Sequence, residues 1–143
     1  MLEKAIEIAK IAHANQIDKV GKPYIYHLIR VMDSGKTEVE KICGVLHDLI
    51  EDTNWTFDDL KNEGFSDEII TILDCVTKRE NEDYSNFIER VKQNPIAVKI
   101  KINDLKDNMD ITRLEKIDTK DLERLNKYLN AYHYLKTTLT SDL

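Results

Sequence analysis

Leu46-His47-Asp48-Leu49-Ile50-Glu51-Asp52-Thr53 is the stretch on which the reading of this chain turns. Placed on a helix at about 100° per residue with His47 at zero, Asp48 falls near 100°, Glu51 near 40° and Asp52 near 140°. Cys43, Val45, Leu46, Leu49 and Ile50 fill the opposite arc. One face is apolar; the other carries an imidazole and three carboxylates. Such a face is either solvated or holds a cation. Acids in the last turn of a helix sit at the negative end of its dipole, at a cost of about 0.3–1 kcal/mol each. No lysine or arginine stands at helix-neighbour spacing to offset them. A bound metal cation reverses the sign of that cost.

Outward from this stretch the pattern is helical nearly throughout. Leu2, Ile6, Ala9 and Ala12 repeat at helical spacing, and a lysine-rich loop follows at Asp18–Pro23. Tyr24 to Met32 predicts a second helix, and Val39 to Ile50 a strong apolar stripe running through His47 and Asp48. Thr56 with Asp59 reads as a capping box, Gly64 as a stop and Ser66 as the next start. Tyr84, Phe87, Ile88 and Val91 mark another helix, and Asn94-Pro95 reads as the cap and first residue of the one after. A last helix begins near Thr119 and carries Leu122, Leu125, Tyr128, Leu129, Tyr132 and Leu135. No repeat or linker interrupts this order. The expectation is one all-α domain over residues 1–143, of about seven or eight helices.

Composition narrows the function. The 143 residues hold only 4 Gly and 2 Pro, too few for tight hairpins or a glycine-rich phosphate loop. Lys+Arg is 21 against Asp+Glu 27, a net charge of -6, which argues against a nucleic-acid polymer as partner but leaves room for a small anionic ligand. Cys43 and Cys75 sit among apolar residues and read as free core thiols of a reducing compartment. No signal-peptide core and no run of about 20 apolar residues is present, so a cytoplasmic protein without a membrane span is expected.

A second cluster bears on the cation. On the helix after Pro95, Lys101, Asp104 and Asn108 fall within about 60° of one another, so an acid and an amide share one face. Asp104 is a candidate fourth ligand or an ordinary exposed acid. His27 is a candidate ligand or a half-buried structural histidine; His13 and His133 read as structural.

In their order, His27, His47-Asp48 and Asp104 resemble the H…HD…D set of the HD-domain metal-dependent phosphohydrolases. More narrowly, the chain resembles the hydrolase domain of RelA/SpoT-type proteins and the stand-alone small alarmone hydrolases. Three segments carry the likeness: Ala12-His13 with Gln16 and Gly21–His27, then Leu46–Thr53, then Lys101–Asp104 with Asn108. They cover roughly residues 1 to 115. HDxxEDT with an upstream PYIxH segment marks this branch, whereas HD alone does not.

The resemblance implies an HD-type helical bundle with one divalent metal, typically Mn²⁺, on His27, His47, Asp48 and Asp104. A mixed nitrogen and oxygen set suits Mn, Fe or Zn by ligand type. It implies that Glu51 and Asp52 orient and deprotonate the attacking water, and that Lys19 and Asn108 contact a small phosphorylated nucleotide. The implied reaction removes pyrophosphate from the 3′ position of guanosine tetraphosphate (ppGpp), with no synthetase domain expected. Three positions depart from the family: Asp18 and Asp110 stand where it tends to be basic, and Leu28 where a proline commonly follows the histidine. An acidic pocket keeps two alternatives open, an HD hydrolase of another nucleotide or phosphate ester and a non-catalytic sensor that retains the metal.

Overall fold

Helix starts are fixed by side chains that satisfy the first free backbone N–H groups. In a computed structural model, which describes residues 1–140, Thr37 accepts from the Glu40 N–H and Ser66 from the Ile69 N–H. Thr56 and Asp59 form the expected reciprocal capping box, and Asn94 accepts from the Ile96 and Ala97 N–H groups with Pro95 as first helical residue. Residues 141–143 of the expected domain lie outside the described residues. The order is α1 (Leu2–Ala12), α2 (Ile25–Ser34), α3 (Glu38–Leu46), α4 (Leu49–Asp52), α5 (Phe57–Asn62), α6 (Asp67–Val76), α7 (Tyr84–Lys92), α8 (Pro95–Asn108), a 3-10 turn (Ile111–Arg113) and α9 (Thr119–Thr140). Eight of these helices have six residues or more, and α4 is a single turn. An all-α bundle is therefore what forms. Among the described residues no helix is long and apolar enough to cross a membrane.

α8 is the axis of the bundle. It packs against α2, α3, α6, α7 and α9. Ala97, Val98, Ile100, Ile102 and Leu105 are all buried on it, around most of its circumference. Asp104 is buried among them. α2 and α3 cross closely because of one residue. A Cβ on Gly44 would come within 3.1 Å of the Met32 Cα and 3.2 Å of the Val31 carbonyl oxygen. Backbone atoms cannot step aside as a flexible side chain can, so glycine sets this spacing.

Two expectations need correction. The stripe from Val39 to Ile50 does not form one helix. It ends at Leu46, turns through His47 and Asp48, and resumes at Leu49. Asp48 has φ -100 and ψ 0, outside the helical well. The apolar pattern runs on across the break because α3 and α4 bury the same side. The expected core stripe of α9 is also narrower than drawn. Leu135 is fully buried, but Leu122 and Leu129 are exposed. Of the two cysteines, Cys43 is a buried free thiol and Cys75 is only half-buried.

The connector after α6 is clamped by Arg90 on α7. Its guanidinium donates to the Asp74 and Thr77 carbonyls, satisfying the end of α6, and makes two bonds to Glu82 at 2.6 and 2.9 Å. The hydrogen bond from Arg90 holds the Glu82 carboxyl down at about 2, below its ordinary 4.5. A depressed carboxyl contributes stability that is present above about 4.5 and is lost as pH falls toward about 2. Replacing Arg90 with Met should lower stability in urea by about 1–3 kcal/mol. Glu82→Gln should flatten the acid limb of the stability curve in that window. An unchanged acid limb in Glu82→Gln shows that the clamp does not act as described.

Candidate active site

Three elements bring the polar cluster together: α2 supplies His27, the turn after α3 supplies His47 and Asp48, and α8 supplies Asp104. The close α2–α3 crossing at Gly44 sets the two imidazoles with ring centroids 5.4 Å apart. His27 Nε2 lies 3.0 Å and His47 Nε2 3.1 Å from the same Asp104 Oδ1. Donor atoms of His27, His47 and Asp104 all lie within 4.8 Å of one another, a group able to hold a metal ion. Asp48 Oδ2 stands beside them, 3.1 Å from His47 Nε2 and 3.8 Å from His27 Nε2. Adjacent residues of a continuous helix do not face one point. The break at His47-Asp48 is what lets both side chains do so.

Each imidazole is held from behind. His47 Nδ1–H donates to the Gly44 carbonyl at 2.7 Å. His27 Nδ1–H donates to Asp107 Oδ2 at 2.6 Å, and Arg30 Nε fixes Asp107 through its other oxygen at 2.7 Å. With both Nδ1 positions protonated, both Nε2 atoms point at carboxylate oxygens. A lone pair is not stable about 3 Å from a carboxylate oxygen unless positive charge lies between them, as a proton or as a metal cation. Carboxylates and Nδ1-anchored imidazoles are the donor set and backing that metal sites use, so these residues fit a divalent cation.

The electrostatics follow the same logic. Burial works against charge on His47, yet Asp48 and Asp104 outweigh it and hold the imidazole well above its ordinary 6.5. His27 is also raised, by Asp104 and Asp107 against burial. Asp104 is buried, but Lys101 and the two imidazoles hold it well below the usual carboxylate range. Lys101 Nζ donates to its Oδ2 at 2.9 Å, and Asn108 Nδ2 to its Oδ1 at 3.1 Å. Tyr24 donates its hydroxyl to Asp48 Oδ2 at 2.6 Å.

Two cavities open on the cluster and share a wall of Tyr24, Asn108 and Tyr128. The first, of about 290 Å³, holds His47, Asp48, Glu51, Asp52 and Asp104. Burial, with Asp48 and Glu51 nearby, pushes the Asp52 carboxyl up to about 6. Glu51 Oε1 accepts from the Lys78 backbone N–H at 2.8 Å. The second cavity, of about 350 Å³, has apolar walls at Ile17, Val20 and Leu114 and cations at Lys19, Arg30, Arg113 and Arg124. It also contains Asp18 and Asp110, but both are engaged locally. Asp18 accepts from the Val20 and Lys22 N–H groups, stapling its loop. Asp110 caps the 3-10 turn and pairs with Arg113 at 3.2 Å.

The eight residues expected to act thus lie at this double cavity, His27, His47, Asp48 and Asp104 around one point, Glu51 and Asp52 in the inner chamber, Asn108 in the shared wall and Lys19 in the outer chamber, its Nζ 3.7 Å from Asp121. Tyr24, Arg30 and Asp107 were not legible as functional. Asp107 lies three residues after Asp104, on one helical face, which was the available signal. The His13 ring is buried, with Nδ1 2.7 Å from Gln16 Oε1 and Nε2 without a hydrogen-bond partner among the described residues. His133 packs edge-on against Tyr132.

No family model matches the chain. It is 29% identical over 120 residues to guanosine-3′,5′-bis(diphosphate) 3′-pyrophosphohydrolase of Aquifex aeolicus, covering 76% of this chain and 17% of that protein. It is 31% identical over 126 residues to the probable GTP pyrophosphokinase of Mycobacterium leprae, covering 79% of this chain and 16% of that protein. The chain thus spans about a sixth of the length of these curated relatives. A solved metazoan orthologue of SpoT, a protein described as hydrolysing ppGpp, superposes with a TM-score of 0.75 at 20% identity, covering 98% of this chain and 92% of that one. The likeness to the RelA/SpoT-type hydrolase domain holds in sequence, and the fold is shared.

A metal held here should depend on the backing as well as on the ligands. Elemental analysis of undialysed protein should show close to one divalent metal per chain, mostly lost in Asp104→Ala. Asp107→Asn should keep the fold and weaken metal affinity about 10–100-fold. Full occupancy in Asp104→Ala would overturn the site.

Proposed function

We propose that the chain is a metal-dependent phosphohydrolase that removes pyrophosphate from the 3′ position of ppGpp. The carrying observation is that Glu51 and Asp52 line the same small cavity as the His27–His47–Asp104 group, one of them with its acidity already shifted toward neutrality. A carboxyl near 6 is a better base at neutral pH than an ordinary aspartate and is still mostly ionised there. A kinase transferring pyrophosphate, as the second relative is named, has no evident need for a water-handling pair at a buried metal site.

His27, His47, Asp48 and Asp104 would hold the metal, Mn²⁺ by resemblance. Bound there, it would polarise a phosphoryl oxygen and lower the pKa of the attacking water. The chain's own residues do the remainder. The outer chamber takes the nucleoside between its apolar walls, and Lys19, Arg30, Arg113 and Arg124 meet the 5′ phosphates. Asn108, in the shared wall, bonds Asp104 on one side and stands at the substrate on the other. Glu51, anchored by the Lys78 N–H, orients a water. Asp52 takes its proton as the water oxygen bonds to the phosphorus. The bond from that phosphorus to the 3′ oxygen breaks, the 3′ oxygen takes up a proton, and guanosine diphosphate and pyrophosphate leave. The local engagement of Asp18 and Asp110, with four cations in the same chamber, favours this reading over one in which the acids repel the phosphates.

Glu51→Gln and Asp52→Asn should keep metal content and melting temperature and lose about 10²–10⁴ in kcat. The deciding measurement is a screen of the Mn²⁺-loaded protein against ppGpp and a panel of other nucleotides and phosphate esters. Release of guanosine diphosphate and pyrophosphate from ppGpp as the best reaction supports the proposal. Preference for another ester, or turnover of nothing, assigns the site to a different hydrolysis or to sensing.

A further inference from the structure

Tyr84 opens α7 and its ring lines the metal-side cavity. Its hydroxyl oxygen is buried and has no hydrogen-bond partner among the described residues. An unpaired buried hydroxyl is costly, and native proteins satisfy nearly all such groups. Lys127 on α9 lines the same cavity, with its Nζ 4.6 Å from the centre of the Tyr84 ring and 5.5 Å from that of Tyr128. No carboxylate among the described residues forms an ion pair with it. Its charged neighbours repel it: after burial itself, Lys101, Arg124 and Lys78 lower the Lys127 ammonium below its ordinary 10.5. Lys101 is already committed to Asp104, whereas Lys127 is not. A buried hydroxyl with no partner and a solvent-facing ammonium with no carboxylate partner thus stand side by side at one chamber. A phosphate, with several oxygens and more than one negative charge, can engage both groups at once.

Position within the chamber says which phosphate. The attacked phosphorus belongs beside His47, Asp48 and Asp104, and the nucleoside lies beyond the Tyr24–Asn108–Tyr128 wall. What remains at Tyr84 and Lys127 is room for a group attached to the attacked phosphorus on the side away from the nucleoside. We propose that Tyr84 and Lys127 seat the distal phosphate of a pyrophosphoryl group, so that the site selects a diphosphoryl ester over a monophosphoryl ester at the same position. This rests on the hydrolase reading above. Tyr84 and Lys127 would act in specificity; the water and the breaking bond are handled elsewhere.

Three variants test it: Tyr84→Phe, Lys127→Met and Lys127→Arg. Binding of inorganic pyrophosphate and of orthophosphate would be measured by calorimetry, on the protein as purified and again after metal stripping. Wild type should bind pyrophosphate more tightly than orthophosphate. Lys127→Met should weaken pyrophosphate about tenfold or more and orthophosphate about twofold or less, Tyr84→Phe should lose a smaller factor, and Lys127→Arg should recover most of the loss. In turnover, Lys127→Met should raise KM for ppGpp more than it lowers kcat. It should also narrow the preference for ppGpp over guanosine 5′-diphosphate 3′-monophosphate. Unchanged pyrophosphate binding in both Tyr84→Phe and Lys127→Met overturns the inference, as does a wild type that binds the two anions equally. Absence of ppGpp turnover with the pyrophosphate pattern intact would instead overturn the substrate reading and leave the seat standing.

Discussion

A single buried carboxylate organises the molecule. Asp104 sits on α8, the helix that touches most of the others, and receives His27, His47, Lys101 and Asn108. An uncompensated charge at that depth would cost several kcal/mol, so its partners have to be in place for the bundle to close around it. The partners come from α2, from the turn after α3 and from α8 itself. The same contacts that make the charge tolerable therefore fix three helices relative to one another. Stability and site geometry share one set of interactions.

That arrangement depends on two local backbone features of α3. Gly44 lets α2 approach closely enough for the two imidazole rings to meet, and its carbonyl also anchors His47. Three residues later the helix breaks, which turns His47 and Asp48 toward the same point although they are neighbours in sequence. Behind them, Asp107 and Arg30 fix the His27 ring from the far side. Orientation is thus set from both ends of the pair before any ligand arrives, which is the preorganisation that catalytic geometry needs.

The helices and their ends were legible because their causes are local. Thr56 with Asp59, Ser66 and Asn94-Pro95 each announce a start through bonds to residues two or three positions on. The order of His27, His47-Asp48 and Asp104 was legible through its resemblance to a known motif, and the structure brings these four side chains together. The break at Asp48 was not, since the apolar stripe is continuous across it. The roles of Arg30, Asp107 and Tyr24 were hidden for a different reason: each acts through a partner 24 to 80 positions distant. Net charge was silent on the local field. A total of -6 conceals a chamber with four cations, and the acids at Asp18 and Asp110 proved to be loop staples whose role depends on backbone N–H groups. The exposure of Leu122 and Leu129 shows that helical periodicity finds a helix without saying how wide its covered face is.

The separation of the parts along the chain has a kinetic side. His27 and Asp104 are 77 residues apart, and His47 and Asp104 57. Contacts of that range form only after large loops have closed, which places them late in the assembly of a helical protein whose other contacts are mostly local. A partly folded chain with α1 to α7 in place would still lack Asp104, Asp107, Asn108 and the cations of α9. Until α8 docks, His27, His47 and Asp48 would stand without the carboxylate that both imidazoles share, so completion of the cluster and closure of the bundle are coupled.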